Sequence, residues 1–365
     1  MPVPTIVDVA QRARTTIATV SRVVNRLPGV SPGMRARVEA AIAEIGYVPD
    51  ASAQLLRTRR SRILGIVVGD LENPRSVSLI SSVQAVATAH GLTGFVVSAR
   101  SADDEMPLIQ ALLRHRPAGL LVATLRTAAS DQFLTRLAEQ DLPIVLVGRT
   151  LAIPHVDSVC ANYRRGGQLI TRHLIDLGHR RIAFLGANFE EGDRVARLRG
   201  YLDALQRARL AARPGLVVGD APRGGRPHYA TYLTGYQGAR QLLNLPTRPT
   251  AIVSRNDMVA VGAIQAVREA GLNVPEDISI TGFDNIPLAA AFAPPLTVVS
   301  QPTEEEGNLA AEMLLARIER PAEIRDAREL TLECNLIVRA STAAPPPRPR
   351  ALLRAQRHGR KVRTT

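Results

Sequence analysis

The sequence predicts an all-α helix-turn-helix module at the N-terminus, followed by an α/β core of two similar parallel-sheet halves. Three observations predict it. Capping residues and short apolar stripes follow one another at helical spacing through the first fifty residues. From Arg62 onward, apolar runs of strand length alternate with helical stretches. The net charge of +13 is split, with +6 on residues 1–62, +7 on residues 343–365 and a formally neutral middle. Basic segments flanking a neutral core point to a polyanion such as nucleic acid. With 365 residues and 45% hydrophobic content, the chain is long enough to bury a core over two or three domains.

Thr5 followed by Asp8 is a helix-capping pair, and Ile6, Val9, Ala10 and Ala13 then share one face of a first short helix. Thr16 caps a second helix whose inner face is Val20, Val23 and Val24; Ile17, Ala18, Ser21, Arg22 and Asn25 fall on its outer face. Ser31-Pro32 starts a third helix with a buried stripe of Met34, Val38, Ala41, Ile42 and Ile45, ended by Gly46. Arg14-Thr15 is all that joins the first two, so the three form a helix-turn-helix unit. Spacing alone also allows another small helical bundle. The outer face of the second helix favours a major-groove reader, because Arg22 suits guanine acceptors while Ile17 and Ala18 suit thymine methyls. Arg14 is unusual: a turn this tight calls for left-handed backbone, which costs a side-chain-bearing residue about 1 kcal/mol.

The stretches "TIVDVAQRARTTIATVSRVVN", "VSPGMRARVEAAIAEIGYVPD" and "SAQLLRTRRSRILGIVV" closely resemble the headpiece of LacI/GalR-type bacterial transcription regulators. The resemblance implies a headpiece over 1–49, a recognition helix over 16–24, and a hinge helix and linker over 50–61. It places double-stranded operator DNA against Thr5, Thr16, Ile17, Ala18, Thr19, Ser21, Arg22, Asn25, Ser31, Arg35, Tyr47, Ala53 and Leu56. Leu56 would be an apolar wedge that kinks the minor groove. The chain departs from the family at the turn, where "ARTT" replaces "AGVS".

In the middle of the chain, "RILGIVVGD", "LTGFVVSAR", "PAGLLVATL", "LPIVLVG", "RRIAFLGA", "TAIVSRND" and "DISITGFDN" read as strands. Helical patterns such as 77–90, 164–177 and 258–270 lie between them, the mark of βαβ units. The series restarts near Arg180, which implies two halves with the carboxyl ends of their strands on a shared cleft. The resemblance continues to about residue 342 through "LGHRRIAFLG", "RLRGYLDAL", "NDMVAVGAIQAVREAGLNVPEDISITGFDN", "PPLTVVSQP" and "LIVRAST". It implies a periplasmic-binding-protein-like effector core over 62–342, with one subdomain at 62–161 and 291–321 and the other at 162–290 and 322–342. It also implies effector contacts at Asn73, Arg75, Arg197, Asn256, Asp257 and Asp284. A guanidinium and a carboxylate facing each other supply the forked donors and acceptors that hydroxyl groups need. Two departures stand out. Arg75-Ser76 replaces the family's stacking aromatics, which suggests an anionic sugar derivative held by Arg75, and Ala161 precedes Asn162 where an acid is usual.

Enzyme chemistry finds no footing in the sequence: no dinucleotide or P-loop glycine motif occurs, and neither the seven histidines nor Cys160 and Cys334 have metal-ligand spacing. No cofactor or metal is expected. His173 and His179 read as structural, and the lack of an apolar leader or of any membrane-length run gives a cytoplasmic expectation. The helix "TEEEGNLAAEMLLARIE", 303–319, fits a dimer framework; Leu352 and Leu353 form no heptad; and the Pro-rich basic segment 343–365 is expected to be disordered. Together these imply a homodimeric repressor on a pseudo-palindromic operator, controlled by a sugar-like effector. The rival is a solute-binding receptor with the same core, which would have no use for residues 1–60.

Overall fold

The computed structural model describes residues 4–25, 27–48, 61–99, 102–124, 128–149, 153–187, 193–219, 232–321 and 326–347. The chain divides into two compact units, Met1–Ser61 and Arg62–Thr365.

In the first unit, α1 (Ile6–Arg12), α2 (Ile17–Val24) and α3 (Pro32–Ile45) pack around Val9, Ala13, Val20, Val23, Val38 and Ala41. Each start follows its local chemistry. Thr5 and Asp8 close a capping box, Thr16 Oγ1 accepts from the Thr19 amide at 3.2 Å, and Ser31 Oγ accepts from Met34 at 3.4 Å. Gly46, at φ 66°, ends α3 in the left-handed conformation glycine takes without a Cβ clash. Arg14 adopts φ 47°, so the α1–α2 turn keeps its left-handed geometry without glycine.

The second unit holds two six-stranded sheets. The first is β1 (Ile63–Val68), β2 (Thr93–Ser98), β3 (Gly119–Ala123), β4 (Ile144–Val147), β5 (Asp157–Ala161) and β11 (Glu329–Leu332), in the order β11-β5-β4-β3-β1-β2 and parallel throughout. The second is β6 (Ile182–Ala187), β7 (Val217–Gly219), β8 (Ala251–Ser254), β9 (Ser279–Asp284), β10 (Thr297–Ser300) and β12 (Asn335–Ile337), in the order β12-β10-β9-β8-β6-β7. Here β12 alone runs antiparallel, to β10. Helices α4 (Pro74–Ala89), α5 (Ala102–Leu113), α6 (Ala128–Ala138) and α11 (Thr303–Glu319) belong with the first sheet. Helices α7 (Tyr163–Asp176), α8 (Asp193–Arg207), α9 (Tyr232–Leu243) and α10 (Asp257–Glu269) belong with the second. The central strands are buried along their length because helices cover both faces, which is why they read as unbroken apolar runs.

The sheets correct the expected subdomain boundaries. The chain passes first from β5 of the first sheet to α7 of the second between Ala161 and Tyr163. The second crossing is not at 290, because β10 pairs with β9 from Thr297↔Thr281 to Ser300↔Asp284, and the chain leaves only before Thr303. The third is not at 322, because β11 pairs with β5 and the crossing falls between Leu332 and Asn335. The core also runs past 342. Ala343 is tied in by its amide donating to Ser279 Oγ at 3.1 Å, and by its carbonyl, 2.8 Å from His179 Nε2. Residues 348–365 lie outside the described residues, as do hinge positions 50–60.

Candidate DNA interface and ligand cleft

Helical periodicity brings Ile17, Ala18 and Arg22 to the exposed side of α2, with Ser21 and Asn25 half-buried beside them. Ile17 is 48% exposed on this side. The Arg22 guanidinium lies against Gly29, whose φ of 90° is a backbone conformation that side-chain-bearing residues rarely adopt. Asn25 Nδ2 donates to the Ser21 carbonyl at 2.6 Å, so its amide trims the helix end. The hydroxyls of Thr5, Thr16, Thr19 and Ser31 all take part in capping bonds. Arg35 donates to the Leu27 carbonyl at 3.1 Å, and Tyr47 packs on the headpiece core. Ala53 and Leu56 lie outside the described residues.

In the second unit, a cavity of about 120 Å³ opens where the carboxyl ends of both sheets meet. This is the position at which open α/β sheets bind ligands. The first sheet contributes Asp70 after β1, Asn73 at the start of α4 and Thr124 after β3; the second contributes Arg255 and Asn256 after β8 and Asp284 at the end of β9. Arg197 reaches in from α8. Its guanidinium donates to the Arg255 carbonyl at 2.6 Å, stands 3.6 Å from Asp284 Oδ1, and lies 4.0 Å from the Phe283 ring centroid and 4.7 Å from that of Tyr163. Asn73 Nδ2 donates to Asp284 Oδ2 at 3.2 Å, joining the two subdomains across the cleft. Gln301 donates to Asp284 Oδ1 from the second crossing.

Asp284 sits at φ 115° and Asn285 at φ 61°, backbone that carries strain of order 1–3 kcal/mol per residue and persists only when its surroundings impose it. Asp257 supplies that constraint, its Oδ2 accepting the Ile286 amide at 2.8 Å. This corrects the expected role of Asp257. It is fully buried beneath Gly282 and does not line the cavity. Burial, reinforced by the charge of Asp284, raises its carboxyl well above the usual range. Asn256 does line the cavity while its Oδ1 caps α10 by accepting from Val259 at 2.9 Å.

Arg75 is also corrected. Its side chain does line the cavity, but its guanidinium is bound to Glu306 of α11 at 2.6 Å, so the charge offered for an anionic ligand is already matched inside the protein. Burial raises the Glu306 carboxyl, and Arg75 opposes that rise. Sequence reasoning missed Asp70, Thr124, Tyr163 and Arg255. All four stand at or just past the carboxyl end of a strand, which is the signal that would have found them. Tyr163 supplies the aromatic wall that Arg75-Ser76 lacks, although Arg197 covers its ring, and burial lifts its phenol well above its usual value, keeping it neutral.

Two glycines set the position of Arg197. A Cβ on Gly200 would collide with the Arg164 carbonyl, and one on Gly167 with the carbonyl of Arg197 itself. Gly200→Ala is therefore expected to push α7 and α8 apart, costing about 1–3 kcal/mol and weakening ligand binding more than DNA binding. Urea unfolding and calorimetric titration on one preparation check both effects; unchanged ligand affinity in a destabilised variant would separate the glycine from the site.

Residues 5–50 match the family model described as bacterial regulatory proteins, lacI family, and residues 171–342 match a periplasmic binding protein-like domain. The chain is 33% identical to the ribose operon repressor of Haemophilus influenzae over 341 residues, covering 92% of this chain and 98% of the relative. Among solved structures it is similar to the lac repressor dimer bound to operator and the anti-inducer ONPF, with a TM-score of 0.79 and 28% identity over 94% of this chain and 100% of that one. It is also similar to a LacI family transcriptional regulator from Enterococcus faecium with bound ribose, with a TM-score of 0.67 and 27% identity over 77% of this chain and 99% of that one. Similarity of this extent and identity, over headpiece and core alike, means that the chain belongs to the lacI family of bacterial regulatory proteins.

Proposed function

We propose that this protein is a cytoplasmic, homodimeric transcriptional repressor that binds a pseudo-palindromic operator and changes its operator affinity when a small polyhydroxylated effector, of the size and polarity of a pentose, enters the cleft. It acts by binding and not by catalysis. The observation that carries the reading is the Asn73–Asp284 bond across a cavity that also holds Arg197. A hydroxylated ligand competes for these same donors and acceptors, so binding it alters the relation of the two subdomains. Any ligand that binds one arrangement better shifts the equilibrium, and operator affinity shifts reciprocally. The small cavity and the covered face of Tyr163 favour a compact polyol over a flat heterocycle that needs an open ring to stack on.

The test starts with an operator selected by the full-length protein from a randomised duplex library, followed by titration with a panel of sugars that includes ribose. At least one neutral polyol should change operator affinity. Arg22→Ala should weaken operator binding by about 1–3 kcal/mol and relax base preference at one position of each half-site. No response to any polyol, or full binding after deletion of residues 1–60, would overturn the reading and favour a solute receptor.

A further inference from the structure

Arg14 is the one described residue of the headpiece other than glycine that adopts a positive φ: Arg14 lies at 47°, while Gly29 lies at 90° and Gly46 at 66°. Its amide donates to the Gln11 carbonyl at 3.1 Å and the next amide donates to Ala10 at 2.9 Å, so the turn is closed by backbone bonds that a glycine would make equally well. A side chain here adds strain, and the fold recovers nothing from it. The guanidinium is exposed and has no hydrogen bond or ion pair among the described residues.

The other arginines of the headpiece are used differently. Arg12 is paired with Glu44, Arg35 donates to the Leu27 carbonyl at 3.1 Å, and Arg37 donates to the Ala13 carbonyl at 2.6 Å. The nearby carboxylate of Asp8 is taken by Thr5, whose amide and hydroxyl both bond to it at 2.7 Å. Among the described headpiece residues, this leaves Arg14 and Arg22 as the guanidiniums held by no protein acceptor. Arg22 projects from the last turn of α2 on its exposed side, the face turned to base edges. Arg14 stands two residues before the Thr16 cap, at the margin of that face, and a charge at the margin meets the sugar-phosphate backbone before it meets a base.

We propose that Arg14 is a DNA-phosphate contact that fixes the register of α2 on the duplex without selecting sequence. The proposal rests on the DNA-binding reading above. It makes two effects of one substitution run in opposite directions, which a merely solvated arginine would not do.

The experiment measures the affinity of the full-length wild type, Arg14→Gly, Arg14→Gln and Arg14→Lys across a salt series. The ligands are the selected operator and an unrelated duplex of equal length. Arg14→Gly is expected to unfold at a temperature no lower than the wild type, because glycine takes this backbone freely. It should nevertheless bind both duplexes more weakly, with the slope of log K against log salt shallower by about one. Arg14→Gln should lose the same increment, and Arg14→Lys should retain it. An unchanged slope in Arg14→Gly, a loss confined to the operator, or a lysine variant that behaves like glutamine would each overturn the proposal. If the wild type bound neither duplex, the DNA-binding reading would fall first and Arg14 with it.

Discussion

Asp157→Ala is expected to destabilise the core by about 3–5 kcal/mol, the scale for removing one partner from a buried ionic cluster. Asp157 opens β5 and is fully buried. One of its oxygens accepts from Arg317 of α11 and from the Arg328 amide at 2.8 Å; the other accepts two bonds from the Arg328 guanidinium, at 2.6 and 3.1 Å. The substitution takes the carboxylate away from Arg317, which is nearly as buried and is left with its bond to the Asp326 carbonyl at 2.9 Å, and it removes the side-chain bonds that tie Arg328, just before β11, to β5. Burial tends to raise the Asp157 carboxyl, but the bonds from Arg317 and Arg328 outweigh it and hold the group below the usual range. A carboxyl with a lowered folded value contributes its full stability above the unfolded value, near pH 4, and loses it as pH falls through the folded value. The gap between wild type and Asp157→Ala in urea unfolding should therefore be widest near neutral pH and narrow below about pH 4. A loss under about 1 kcal/mol, the scale of an exposed ion pair, would show that the cluster carries no such weight.

Arg197→Ala is expected to remove most of the effector response while leaving operator binding in the absence of effector within a few fold of wild type. Hydrogen bonds to charged groups contribute about 1.5–3 kcal/mol each, so losing one lowers effector affinity by roughly ten- to a hundredfold, and losing a second lowers it further. Calorimetric titration with the polyol found in the operator screen measures this directly. Arg197→Lys should recover little, because an ammonium lacks the planar fork that here reaches both the Arg255 carbonyl and Asp284. Undiminished affinity in Arg197→Ala would place the ligand elsewhere.

What the sequence reveals and what it conceals divide along physical lines. Caps act over three residues and apolar stripes over one element, so Thr5, Thr16 and Ser31 announced α1, α2 and α3, and continuous apolar runs announced the central strands. Strand β5, "DSVCA", is buried throughout yet reads as polar, because Asp157 is neutralised by arginines far along the chain. Strand β11 is mostly exposed and shows no core pattern, so the third crossing was expected at 322, before this strand and not after it. The site was legible where a motif ends a strand, as at Asp284. It was not legible where a role depends on a distant partner. Arg75 seemed available until α11 placed Glu306 beside it, and Asp257 seemed to face ligand until the fold placed it under Gly282.

Asn73 performs two tasks with the two ends of one amide. Its oxygen accepts from the Arg75 amide at 3.0 Å and starts α4, while its nitrogen reaches Asp284 in the other subdomain. Aspartate or serine would begin the helix as well, but ionised aspartate has no donor and would set two carboxylates against each other, while serine carries its donor and its acceptor on one short oxygen. Of the residues that start helices well, this position admits only the one with unlike ends. A one-atom exchange of nitrogen for oxygen would thus leave the scaffold intact while turning a clasp between the subdomains into a wedge, making residue 73 a place where the resting bias of the switch can be reset without rebuilding the protein.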